Sequence, residues 1–191
     1  MYNSYHINTI IHKALGISTL NPEEREVIIS ILEYRVFKKG DILTDFGQIE
    51  RYNYIIIEGY LRMFTIKNNK EYTIDFYKRE SIASSFESRI MKQPSEYCIK
   101  ACTDGICYGI SNDVFDNNTN KVRIIEKVGR MIAEQKYIRR INKQIDMNTY
   151  SAKERYSRAL KEWPGLIDKI SQQKLATYIG IAPESLSRIK K

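Results

Sequence analysis

The rhythm of apolar and polar positions changes twice along the chain. In LNPEEREVIISILEY, Val27, Ile28, Ile31 and Leu32 recur at helical spacing. Asn21 can cap, Pro22 suits the first helical position and Glu24 stands where a capping box needs a carboxylate, so a helix is predicted from about Pro22 to Leu32. A shorter amphipathic stretch, Tyr5 to Leu15, precedes it. From Glu33 to about Ile110 the apolar runs shorten and become rich in Ile, Tyr, Val, Phe and Thr: EYRVFKKG, DILTDFG, YNYIIIEG, YLRMFTIKNNKEYTIDFY, YCIKACTDG and ICYGI. Short runs cut by glycine and polar turns predict a compact all-β unit, a barrel or a double-stranded β-roll of jelly-roll type. IKNNKEY reads as a hairpin turn, because Asn tolerates the left-handed conformation that tight turns require. Gly40, Gly47, Gly59, Gly105 and Gly109 are expected to serve backbone turning.

The third rhythm begins after residue 118. One segment carries roughly 25 to 30 residues of helical character, without proline. Ile124, Val128, Met131, Gln135, Ile138, Asn142 and Ile145 alternate gaps of four and three, a heptad seam with two polar members. A second stripe, Val122, Ile125, Gly129 and Ile132, lies beside its N-terminal half. One face can bind the β unit while the seam binds a second copy; a single long core helix is the other reading. Dimerisation is the favoured expectation. Ser151 and Glu154 form a further capping box, which marks a boundary near residue 149, and Pro164-Gly165 closes the helix that follows. The predicted class is α+β in three parts: a β-roll over residues 1–118 with flanking helices, a long dimerisation helix over 119–149 and a small helical domain over 150–191. The single tryptophan, Trp163, is expected to anchor that small domain.

Charge sharpens this division. Residues 1–120 hold 14 Lys or Arg against 16 Asp or Glu, net −2, and residues 121–191 hold 17 against 7, net +10. A positive excess confined to one segment points to a polyanionic partner, double-stranded DNA first among them. No run approaches the length of a membrane helix and no secretory leader is visible, so a cytoplasmic protein without membrane partners is expected. Cys98, Cys102 and Cys107 lie within one short stretch and are read as small buried apolar residues in a reducing compartment; three thiols fall short of an iron–sulfur ligand set. His6 and His12 are the only histidines and have no partner cluster, so no metal site is expected. With no histidine between residues 13 and 191, and no nucleophile–base pair or phosphate loop, the sequence tells against an enzyme.

The terminal stretch SQQKLATYIGIAPESLSRIKK reads as helix, turn, helix. Ser171 can cap the first helix, Leu175, Ala176 and Ile179 face inward, and Gly180 supplies the turn. Pro183 opens the second helix, and Leu186 and Ile189 return to the core. A small residue at the helix crossing, glycine at the turn and branched residues beyond it are what a DNA-binding helix-turn-helix requires. A helical hairpin that binds a protein partner instead of DNA is the alternative.

KKGDIL, IIIEGYLRMF, the long helix and QQKLATYIGIAPESLSRI, in that order, resemble the Crp–Fnr family of bacterial transcription regulators over nearly the whole chain. The resemblance implies a homodimer whose second terminal helix enters the major groove of a roughly palindromic operator, with RNA polymerase as a further possible partner. Carried over, the base-reading positions are Glu184, Ser185 and Arg188, with Pro183 where the family often has a basic residue. Gln172, Gln173, Lys174, Lys190 and Lys191 are the phosphate-contact candidates. Family members usually continue into a two-stranded wing, for which this sequence has no residues after Lys191. Cyclic AMP is held in the family's archetype by Gly-Glu and, some ten residues later, Arg-Ser or Arg-Thr. The corresponding stretch here, RESIASSFESRIMKQPSEYCIKA, has Ala83-Ser84-Ser85 and Ser95-Glu96 at those places. A buried phosphate without a cation is poorly compensated, and Glu96 would repel it. The expected pocket is therefore degenerate, formed by Ser84, Ser85, Arg89, Ser95, Glu96 and Arg140, with no cofactor and either an unidentified small-molecule effector or none, and not cyclic AMP in the usual mode.

Overall fold

A computed structural model of the chain describes residues 3–118 and 123–190. Two helical pieces lead into the roll. α1 (Ser4–Asn8) runs on into a π-helical stretch, Thr9–Ala14, whose Ile10, Ile11 and Ala14 are buried. α2 (Pro22–Ser30) starts on the capping box: Asn21 Oδ1 accepts from the Glu24 amide at 2.8 Å, and Glu24 Oε2 accepts from the Asn21 amide at 3.0 Å.

Eight strands follow: β1 (Glu33–Phe37), β2 (Ile42–Thr44), β3 (Tyr52–Glu58), β4 (Leu61–Lys67), β5 (Lys70–Tyr77), β6 (Ile82–Ala83), β7 (Cys98–Ala101) and β8 (Gly105–Ser111). They form two four-stranded sheets, β1-β8-β3-β6 and β2-β7-β4-β5, in which every pairing is antiparallel. Asn68 (φ 51°) and Asn69 (φ 58°) make the β4–β5 turn, both left-handed as a two-residue hairpin demands. Gly40, Gly47 and Gly59 also have positive φ, but Gly105 and Gly109 lie inside β8 rather than in turns. Gly105 is needed for close approach instead: a Cβ there would sit 2.2 Å from the Glu58 carbonyl oxygen and 2.4 Å from the Phe37 ring. Two short helices, α3 (Phe86–Met91) and α4 (Asn112–Asn118), flank the roll.

α5 (Arg123–Thr149) is the long helix. Ile124, Ile125, Val128 and Ile132 on it are buried in one cluster with Ile7, Ile10, Ile11, Leu15 and Ile28 of the N-terminal helices and Ile55 and Tyr108 of the roll. Full burial of each such side chain stabilises by about 1.5–3 kcal/mol, which fixes the first half of α5 to the roll. A second cluster fills the space between the sheets around Ile56, Leu61, Ile99 and Cys107. All three cysteines are free and buried, and burial raises the thiol pKa of each, to about 11 at Cys98 and about 12 at Cys107.

After α5 come α6 (Ala152–Glu162), a 3-10 turn (Ile167–Lys169), α7 (Gln172–Ile179) and α8 (Pro183–Ile189). α6 begins on the Ser151–Glu154 capping box. Trp163 is fully buried, yet its surroundings belong to two regions: Ala159, Leu166, Leu175, Tyr178 and Leu186 from the terminal helices, and Phe76 and Cys102 from the roll. The terminal helices thus share a core with β5 instead of closing one by themselves.

Candidate functional site

The serines of the degenerate cassette come together, but around a carboxylate of the chain itself. Glu50 is buried, and its carboxylate accepts from the Ser85 amide (2.7 Å), the Thr44 hydroxyl (2.9 Å) and the amides of Arg51 (3.0 Å) and Tyr52 (3.2 Å). Burial raises its pKa even against these four donors. Ser95 donates to Ser85 Oγ at 2.7 Å, and Ser84 donates to Asn53 Oδ1 at 3.0 Å in a chain that continues through Asn112 to the Glu50 carbonyl. Arg89 turns the other way: its guanidinium lies 4.7 Å from the Phe115 ring of α4, and burial lowers its pKa. Glu96 is exposed and contributes its carbonyl to Thr65. Of the six expected residues, Ser84 and Arg140 line one cavity, and Ser85, Arg89, Ser95 and Glu96 are not part of its lining.

That cavity is a cleft of about 960 Å³ between β4 and β5, α3, α5 and the first terminal helices. The helix α5 supplies its cations. Lys136 Nζ donates to the main-chain carbonyls of Ile82 (3.2 Å) and Ser84 (3.4 Å) between the rings of Tyr77 and Phe86, and burial lowers its pKa to about 8. Lys143 Nζ donates to the Tyr178 carbonyl at 2.8 Å and stands over that residue's ring; burial lowers its pKa to about 8 as well. Arg139 grips Asp75 through two bonds of 2.5 and 2.6 Å, donates to the Phe76 carbonyl and reaches Glu162 at 3.5 Å. Burial works against its charge, but Asp75 prevails and holds the guanidinium pKa above its ordinary value. Glu50, Lys136, Arg139 and Lys143 escape a sequence reading. The last three carried a signal, since positions 136, 139, 140 and 143 all bear cations at gaps of three, one and three on a single helix. Glu50 carried none.

The seam of α5 divides in two. Ile124 and Val128 are buried in the chain's own core, Met131 is half-buried, and Gln135 donates to the Ala14 carbonyl at 2.6 Å. Those positions are therefore not open to a second copy, because the N-terminal helices cover them. Ile138 and Ile145 remain 57% and 48% exposed, with Asn142 exposed between them and Tyr137 alongside. Val122 lies outside the described residues.

The two-helix unit has the expected turn. α7 is capped by Ser171 and ends at Gly180 (φ 73°), and α8 begins at Pro183. Leu175, Ala176, Ile179 and Leu186 are buried; Ile189 is half-buried. Glu184 and Arg188 are exposed on α8 and Ser185 is half-buried. Gln172 and Gln173 are exposed at the start of α7, and Lys190 is exposed past α8. Lys174 is half-buried, and its carbonyl accepts from the Thr73 hydroxyl at 3.0 Å. Lys191 lies outside the described residues. α7 lies along β5, where Thr177 joins the Thr73 hydroxyl (3.0 Å) and amide (3.2 Å), and Arg62 Nε donates to the same Thr73 hydroxyl at 2.8 Å. Among the described residues no helix is long and apolar enough to cross a membrane, and no group of acidic, His and Cys side chains could hold a metal ion.

Residues 34–121 match the family described as the cyclic nucleotide-binding domain. The paired four-stranded sheets with flanking helices are that domain's β-roll, so the chain carries this roll followed by a helical C-terminal region. Solved structures of the same fold include a protein from Eubacterium rectale assigned to the Crp/Fnr family of transcriptional regulators (TM-score 0.68, 18% identity, 89% of this chain and 82% of that one). FixK2 from Bradyrhizobium japonicum aligns with TM-score 0.66 at 15% identity, over 84% of this chain and 83% of its own. The regulator CLP of Xanthomonas campestris, described as c-di-GMP responsive, aligns with TM-score 0.64 at 14% identity, over 88% and 89%. No curated protein sequence matches the chain.

Proposed function

We propose that the chain is a homodimeric DNA-binding transcription regulator of the Crp–Fnr type. One observation carries the reading: α8 presents Glu184 and Arg188 to solvent directly after a glycine turn, in the region that bears the chain's whole positive excess. Arg188 can make the bidentate contact to guanine and Glu184 can accept from cytosine, with Gln172, Gln173, Lys174 and Lys190 toward the phosphates. The exposed half of the α5 seam, Ile138 to Ile145, is the surface for the second copy, and it sets two α8 helices against half-sites about one DNA turn apart. An effector in the cleft shifts α5 and reorients the terminal helices about Asn148 to Ser151. It is not a cyclic nucleotide held in the usual way, because the Ser85 amide is already bonded to Glu50 and Ser95 stands where a cation is needed.

Selection of bound sequences from random duplex DNA tests the reading. A roughly palindromic consensus is expected, with affinity falling steeply as salt rises. Arg188→Ala should weaken consensus binding by about 1–3 kcal/mol and relax one base position. Salt-independent or absent binding would refute it.

A further inference from the structure

Three cations on α5, Lys136, Arg140 and Lys143, follow one another at gaps of four and three, so they occupy one face of the helix, and all three line the cleft. Among the described residues none of them is ion-paired. Lys136 and Lys143 donate only to main-chain carbonyls, and Arg140 lies exposed near the phenol of Tyr97. The carboxylates of the same cleft are otherwise engaged. Asp75 and Glu162 pair with Arg139, Asp146 with Arg158 and Glu80 with Arg79, which leaves Glu87, bonded to Tyr97, as the single unpaired acid. Asp75, Glu162 and Asp146 lie near the two lysines but are committed to Arg139 and Arg158, so these partly desolvated cations have no ion pair of their own, and an anion placed among them offsets that cost. The rings of Tyr77, Phe86, Tyr97, Tyr137 and Tyr178 line the remaining wall.

We propose that this cleft binds a small organic anion carrying a planar ring, its charge held by the α5 stripe Lys136–Arg140–Lys143 instead of by the loop of residues 84–96. The proposal names the effector class of the regulator proposed above and rests on that reading for its consequence, though not for the binding itself. Lys136 faces Glu50, Asp75 and Glu87 with Arg139 beside it; Lys143 faces Asp75, Glu162 and Asp146, again with Arg139, and the Tyr178 phenol, whose own pKa is raised. Burial lowers both lysine pKa values to about 8, so affinity for an anion is expected to weaken as pH rises through that range while Arg140 keeps its charge.

The test uses the full chain and two fluorescent probes of similar shape, anilinonaphthalene sulfonate, which is anionic, and N-phenylnaphthylamine, which is not. Saturable binding of the sulfonate at one site per chain is expected, with affinity falling as pH rises through about 8, while the uncharged probe shows no such pH dependence. Lys136→Met and the surface variant Arg140→Gln should each weaken the sulfonate about tenfold or more and leave the uncharged probe unaffected. Arg140→Gln, at an exposed position, keeps the test valid if Lys136→Met fails to fold. Displacement of the sulfonate by benzoate points to an aryl acid, and displacement by cyclic AMP to a nucleotide; either supports the proposal. Equal binding of both probes, or sulfonate binding indifferent to Arg140→Gln and to pH, overturns it. DNA binding is not read in this experiment, so failure of the regulator reading leaves its result intact.

Discussion

Arg139 joins α5 to the roll through Asp75 and reaches Glu162 at the end of α6. Arg139→Met keeps the aliphatic stem and removes the guanidinium. Asp75, whose side chain is 16% exposed, then loses bonds of 2.5 and 2.6 Å and retains only the Phe76 amide at 2.8 Å. Breaking a fully buried pair costs about 3–5 kcal/mol, whereas an exposed pair is worth about 0–1 kcal/mol. Arg139 is 34% exposed and its contact to Glu162 is long, so the expected loss is about 2–3 kcal/mol. For a chain of this length that lowers Tm by roughly 4–12 °C. Asp75→Asn removes the stranded charge, so the double variant should be less damaged than the two single losses combined, with a coupling of about 1–2 kcal/mol. Urea unfolding followed by tryptophan fluorescence is the direct assay. The single tryptophan, Trp163, is buried at this junction, its ring centroid 5.8 Å from that of Phe76 and 5.5 Å from the Arg139 guanidinium. A loss below about 0.5 kcal/mol for Arg139→Met, or strict additivity in the cycle, would refute the reasoning.

Gly105→Ala should destabilise the roll by about 3 kcal/mol or more, since the new methyl meets the Glu58 carbonyl oxygen and the Phe37 ring well inside contact distance; a Cm shift smaller than that of an ordinary surface substitution contradicts this. Glu50→Gln should change the pH profile of stability. The raised folded-state pKa means that the folded chain binds this proton more readily than the unfolded one, so Glu50 makes stability fall as pH rises from the unfolded carboxyl range through the folded pKa. The variant loses that slope and also carries a pH-independent deficit of about 1–3 kcal/mol from an amide N–H set against backbone donors; urea midpoints measured from about pH 4 to 8 test both. Ile138→Glu should weaken self-association in sedimentation equilibrium while leaving the circular dichroism of the chain unchanged, because the side chain is exposed within one copy.

Local chemistry is what the sequence displayed most plainly. The capping boxes at Asn21 and Ser151 and the Asn68–Asn69 turn depend on residues within four positions of one another, and all three form as read. β6, α3 and α4 were not anticipated, since a two-residue strand and helices of six or seven residues take their shape from tertiary neighbours. The glycines show the same limit. Turning and close approach leave one signature in a sequence, and only the nearness of Phe37 and Glu58 shows that Gly105 serves the second. A heptad states that a face is apolar without saying what covers it, and the N-terminal half of the α5 seam is covered by the chain's own first helices. The cations of α5 look like a solvated face until the roll is set against them.

A ligand in the proposed cleft would reach α8 through the contacts that join the roll, α5 and the terminal helices. The roll, α5 and the terminal helices all contribute walls to that cleft, and besides the apolar core around Trp163 a few polar contacts join them. Arg62 donates to Thr73, and Thr73 in turn holds Thr177 and the Lys174 carbonyl within the first turns of α7. Lys78 donates to the Glu162 carbonyl, Lys143 to that of Tyr178, and Arg139 joins Asp75 to Glu162. Neutral hydrogen bonds contribute about 0.5–1.5 kcal/mol each and those to charged groups about 1.5–3 kcal/mol, so the polar attachment is a matter of several kcal/mol. Turning a two-state equilibrium from 1:99 to 99:1 requires about 5.5 kcal/mol of differential binding. The two quantities are of the same order. If the proposed anion draws Lys143 from the Tyr178 carbonyl, it weakens one of these polar bonds, whereas a ligand seated among the serines around Glu50 touches none of them.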